Sequence, residues 1–151
     1  MPAPPLPHPR TPVCWTDHLT PDPAHRTTWS ACTRRPELVA CGTAWDAVVA
    51  PLARGLAGLD HLRLPLSGGF PVLADYVRLE LIVQVPAGTG HRCAAPGSRV
   101  LHKGTWLLVP VGTHSAASAT WLSRPDPASP RYVDADRLHQ ALLAVDAVPQ
   151  D

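Results

Sequence analysis

The sequence has no asparagine, one lysine, one isoleucine and one phenylalanine, and nowhere does it run to the 18 or so consecutive apolar residues that a membrane-spanning helix needs. That last absence argues against a helical membrane segment. The opening residues, Met1-Pro2-Ala3-Pro4-Pro5-Leu6-Pro7, lack both a basic start and an apolar run, so no secretory signal is read and a cytoplasmic protein is expected. Charge of either sign is also in short supply. Thirteen basic residues against 12 acidic ones leave a net charge of +1, which excludes a strong field toward nucleic acid, anionic membrane or acidic ligands. Any basic site must be local. Cys14, Cys32, Cys41 and Cys93 are too scattered for a paired-cysteine zinc motif and are expected as thiols, and His91 with Cys93 offers only two ligands. No metal and no cofactor is read from the residues. Arginine outnumbers lysine twelve to one, which is the composition of a GC-rich genome and carries no mechanistic weight.

Proline is what the chain has in excess. Nineteen are present, against a usual share of about 5%, clustered in Pro2 to Pro12, at Pro21 and Pro23, and in Pro125 to Pro130. Residues 1–12 therefore read as a disordered proline-rich tail and residues 148–151 as a short C-terminal one. Residues 13–147 are read as a single domain, and a chain of 151 residues is long enough to bury roughly 70% of its unfolded surface.

Within it, Thr20-Pro21-Asp22-Pro23 carries helix-start signals for a helix to about Arg35, with Trp29 and Cys32 on one face. Glu37 to Cys41 and Thr43 to Ala50 read as strands parted by Gly42. Leu52, Leu56 and Leu59 repeat at helical spacing from Pro51 to about Leu62, with Gly55 and Gly58 either weakening this helix or letting it pack closely. Val72 to Ala74 is a short strand, and Val77 to Val85 alternates, placing Arg78, Glu80 and Gln84 on one side. Arg99 to His102 and Thr105 to Val109 suggest a hairpin across Lys103-Gly104, and Ala119 to Ser123 a last strand. Asp134 and Asp136 start a final helix whose Leu138, Leu142 and Val145 line one face. The fold class expected is α+β, with an RRM-like, mostly antiparallel sheet covered by helices. Trp15, Trp29, Trp45 and Trp121 are expected at the junction of helices and sheet.

Four stretches in this order resemble the N-terminal domain of bacterial bifunctional DNA primase/polymerases, of the archaeo-eukaryotic primase superfamily. They are Leu19-Thr20-Pro21-Asp22-Pro23 with Trp29 and Arg35-Pro36-Glu37; Gly42 to Pro51; Gly69-Phe70-Pro71-Val72-Leu73 with Arg78 to Pro86; and Pro96 to Pro110. Together they cover about Leu19 to Arg124. The resemblance implies two divalent metals held by converging carboxylates: an acid-any-acid pair within Asp46 to Pro51, and a third acid near Arg99. It also implies a phosphate-contacting histidine in Arg78 to Ile82. The positions are instead filled by Val49 and Pro51, with Asp46 outside the pair, by Glu80 near the histidine, and by Arg99 in place of the third acid. A fixed cation there repels a metal.

The expectation is therefore a catalytically degenerate primase/polymerase-like domain, a pseudoenzyme acting as a non-catalytic binding or regulatory module. Its partner would be an unidentified protein, or weakly bound nucleic acid or nucleotide. Arg78, Arg99, Lys103 and Trp106 are the candidate nucleotide or nucleic-acid contacts. Trp106, preceding Leu107-Leu108-Val109, reads as core, with stacking on a base as the alternative. The rival reading is an active metal-dependent nucleotidyltransferase with displaced ligands from Asp46, Glu80 and Asp75. A structural or assembly subunit is a third.

Overall fold

A computed structural model describes residues 12–32, 34–112 and 114–147. Apart from Pro12, both expected tails lie outside the described residues. A 3-10 turn, Trp15–Leu19, precedes α1 (Pro23–Ala31), and β1 (Glu37–Ala40), β2 (Trp45–Pro51), α2 (Leu52–His61), β3 (Val72–Asp75) and β4 (Glu80–Pro86) follow. After a second 3-10 turn, Gly90–Arg92, come β5 (Arg99–Leu101), β6 (Trp106–Val109), β7 (Thr120–Ser123) and α3 (Ala135–Asp146). No described helix is long and apolar enough to cross a membrane.

The α+β class holds: five strands form an antiparallel sheet in the order β5-β2-β4-β3-β7, and β1 pairs with β6 as a separate antiparallel ribbon. On one face of the sheet Val48, Leu81, Val83 and Val85 pack against Leu52, Leu56 and Leu59 of α2 and Leu138 and Leu142 of α3. Trp15 closes that layer. It is 1% exposed, and its indole N–H donates to the Leu64 carbonyl at 2.8 Å. The other face, with Ala47, Val49, Leu73 and Ile82, is apolar too, and Leu107 of the ribbon packs on it. The molecule is thus helices, sheet and ribbon, where helices alone were expected as cover. Trp45 and Trp121 belong to the ribbon side.

Three boundaries differ from the sequence reading. α1 starts after Asp22, whose carboxylate accepts the His25 N–H at 2.8 Å, and stops at Ala31, four residues short of Arg35. Pro36 disfavours helix at the residue before it, and Thr27, Thr28 and Ser30 bond back to carbonyls within the helix. Trp29 anchors the helix by donating to the Thr120 hydroxyl at 3.0 Å. Residues 76–79 form a turn joining β3 to β4, so Arg78 does not share a strand face with Glu80 and Gln84. The expected hairpin of β5 and β6 does not form, because β5 pairs with β2 and β6 with β1. Lys103-Gly104 instead carries the chain from sheet to ribbon. There Gly42, at φ 93°, meets the Lys103 backbone so closely that a Cβ would overlap it.

Candidate functional site

Strand alternation decides which side chains meet. Along β2, Val49 faces the ribbon, whereas Asp46 shares its face with Val48. Where the ribbon meets the sheet, a cleft of about 280 Å³ opens. Val49, Leu73 and Ile82 floor it, Leu101 and Leu107 wall it, and Leu38, Leu108 and Trp106 stand at its lip. Asp75, Arg78, Glu80 and Arg99 form its charged end.

Glu80 and Arg99 sit on β4 and β5, the two strands flanking β2, and pair across it through two hydrogen bonds, Nη1 to Oε2 and Nη2 to Oε1. Hydrogen bonding to Glu80 pushes the Arg99 guanidinium above its ordinary pKa, so the cation is permanent. Beneath the pair, Val49 lies opposite Arg99 and Pro51 opposite Glu80 in the strand register. Four positions that the sequence reading placed at the family's catalytic strands are therefore neighbours in the sheet, and three of them, Val49, Glu80 and Arg99, line the cleft.

Asp75 has a local task. It is 7% exposed, and its Oδ1 accepts both the Val77 and Arg78 N–H groups at 2.9 Å, fixing the turn in which Leu79 takes φ 57°. That turn holds Arg78 exposed at the cleft rim, with no ion-pair partner among the described residues. Trp106 is 60% exposed, which corrects its reading as core: contiguous Trp106-Leu107-Leu108-Val109 points alternately inward and outward, and Trp106 points out. Lys103 is exposed and does not line the cleft.

Asp46 stands apart. It is 2% exposed on the helix-side face; its Oδ2 accepts the Gly90 N–H at 2.9 Å, and Oδ1 is buried without a partner. It ties the Gly90–Arg92 turn to β2. The residues present do not fit the two metals the resemblance implies, for Glu80 is held by Arg99, Asp75 by two backbone donors, and Asp46 lies across the sheet. Among the described residues no three His, Cys, Asp or Glu side chains are placed to share an ion.

Sequence reasoning missed Leu38 and Leu108, directly opposite each other in the ribbon and 60% and 36% exposed. Both lie in short apolar runs, where period cannot separate an inward from an outward side chain. The spacing of Asp75 from Val77 and Arg78 was the available signal for the turn. The chain matches no protein-family model, no curated protein and no solved structure.

Proposed function

We propose that the chain is a catalytically degenerate primase/polymerase-like domain of the archaeo-eukaryotic primase type, serving as a non-catalytic binding or regulatory module that docks a protein partner in the cleft. The observation that carries this reading is the convergence of Val49, Pro51, Glu80 and Arg99. The resemblance selected these positions from three separate segments, and their adjacency supports its register. The order β5-β2-β4-β3, with α2 joining β2 to β3, supports an RRM-like core in which the second crossover is reduced to the Gly90–Arg92 turn and its loops.

A protein partner is favoured over nucleic acid by the composition of the rim. Leu38, Trp106 and Leu108 line the cleft and Val77 and Leu79 flank Arg78, so among the described residues five of the eight large exposed apolar side chains lie at the cleft or beside its rim. Such a patch marks an interaction surface. A phosphate backbone would find Arg78 alone to hold among the candidate cations, because Glu80 neutralises Arg99 and Lys103 stands outside.

The experiment is titration of single-stranded and duplex DNA with and without manganese, nucleotide incorporation being followed in parallel. The reading expects no incorporation and only weak, salt-sensitive DNA binding that survives chelation. Manganese-dependent incorporation abolished by Glu80→Ala overturns it. The rival nucleotidyltransferase needs Asp46, Asp75 and Glu80 to converge, and Asp46 lies on the opposite face of the sheet.

A further inference from the structure

A second concavity, sharing no residue with the cleft, opens between the exit of α2, Phe70 and the segment leading into α3. Its volume is about 490 Å³, within the roughly 300–1,000 Å³ of ligand pockets. Leu62, Phe70 and Tyr132 give it an apolar and aromatic lining, and the side chains of Arg63, Arg131 and Arg137 bring three cations to it. None of the three makes an ion pair among the described residues.

All three arginines are exposed, and Arg131 is the one whose side chain is held in place. The Arg131 guanidinium stands 4.7 Å from the centre of the Phe70 ring and donates to the Gly68 carbonyl at 3.3 Å, which leaves further N–H groups of its fork unused. Arg63 takes the left-handed conformation, φ 56°, one step beyond the C-cap of α2, a backbone state that side-chain-bearing residues seldom adopt. Arg137 is the third residue of α3, where the helix end is itself partly positive and a cation is disfavoured. Asp134 also lines the pocket; its Oδ2 caps the helix by accepting the Arg137 backbone N–H at 2.9 Å and it makes no ion pair with the Arg137 guanidinium, so one negative charge stands against three positive ones. Three guanidinium groups without ion-pair partners around one pocket are complementary to an anion, which planar arginine forks grip in pairs of hydrogen bonds.

We propose that this pocket binds a small organic anion joining two or more negative charges to a planar ring, of nucleoside diphosphate chemistry. Arg63, Arg131 and Arg137 hold the anionic group, and Leu62 and Tyr132 receive the ring. The inference stands apart from the reading of the cleft, since the two sites share no side chain.

Calorimetric titration of the full chain with ADP, pyrophosphate and adenosine tests it. ADP should bind saturably at one site, pyrophosphate more weakly and adenosine not at all. Arg131→Ala and Arg137→Ala should each lower ADP affinity about tenfold or more, the loss expected for a charge-assisted hydrogen bond. Arg137→Ala should leave the melting temperature of the free chain unchanged or raised, because it removes a cation from a helix start, so lost binding cannot be lost folding. Absence of saturable ADP binding, adenosine binding as well as ADP, or indifference to both substitutions overturns the proposal. So does loss of ADP binding on Arg78→Ala, which would place the anion in the cleft.

Discussion

Arg99 and Glu80 clasp each other across β2, from strands that do not touch, directly above the segment where the resemblance implies paired acids. Their side chains are 55% and 21% exposed, so the pair is partly solvated and water screens it. A double-mutant cycle with Glu80→Ala and Arg99→Ala should give a coupling of about 0.5–1 kcal/mol that shrinks in 1 M salt. Zero coupling at low salt would mean that no clasp forms.

Asp46 is a structural carboxylate in this account. Asp46→Ala strips the buried Gly90 N–H of its acceptor and should cost about 1–3 kcal/mol in chemical denaturation. Unchanged stability would reopen a functional role for it.

Two helical glycines of α2 should respond differently to the same substitution. A Cβ at Gly55 would lie 2.8 Å from Leu81 Cδ2 and 3.0 Å from Leu81 Cβ, pressing α2 off β4. Overpacking of about 1–3 kcal/mol outweighs the helix-propensity gain of about 1 kcal/mol, so Gly55→Ala destabilises. At Gly58 the near atom is only the tip of Leu142, at 3.0 Å, which can turn aside. Gly58→Ala should be neutral or stabilising by thermal melting.

Alkaline pH should loosen the fold through Tyr76. Its hydroxyl donates to the His18 carbonyl at 2.7 Å, and burial, helped by the charge of Asp22, pushes its pKa from 10.0 to about 12. The folded chain holds this proton more tightly than the unfolded one, so the contribution is whole below pH 10 and is lost as pH rises through 12. Its size is at most about 2 kcal/mol, because the tyrosine is only partly buried and water screens part of the effect. Burial raises the Cys41 and Cys93 thiols in the same direction. Tyr76→Phe should therefore flatten the loss between pH 10 and 12 without abolishing it; an unaltered slope in urea denaturation would contradict the assignment.

Much of this architecture was legible because the signals were local. The 3.6-residue repeat of Leu52, Leu56 and Leu59 and the cap at Asp134 marked α2 and α3. What misled were segments whose fate is settled by distant partners. The run Arg99 to Val109 looks like a hairpin, yet β5 finds β2 and β6 finds β1, pairings that depend on residues 50 or more positions away. Alternation carried Val77 and Leu79 into a strand, where the Asp75 carboxylate instead bonds the backbone into a turn. At the site, Val49, Glu80 and Arg99 could be nominated one by one, but their meeting could be seen only in the sheet order. At the lip, Trp106 could be nominated but read as core, and Leu38 and Leu108 stayed hidden, because apolar residues at a binding edge and in a core have the same chemistry.

The most direct measurement selects peptides from a displayed random library on the full chain and determines their affinities for wild type and Trp106→Ala. The account predicts peptides that bind saturably, and at least about tenfold more weakly to Trp106→Ala, while its melting temperature is unchanged because Trp106 is 60% exposed. Peptides that bind both proteins equally would place the docking surface elsewhere and contradict the cleft as the site.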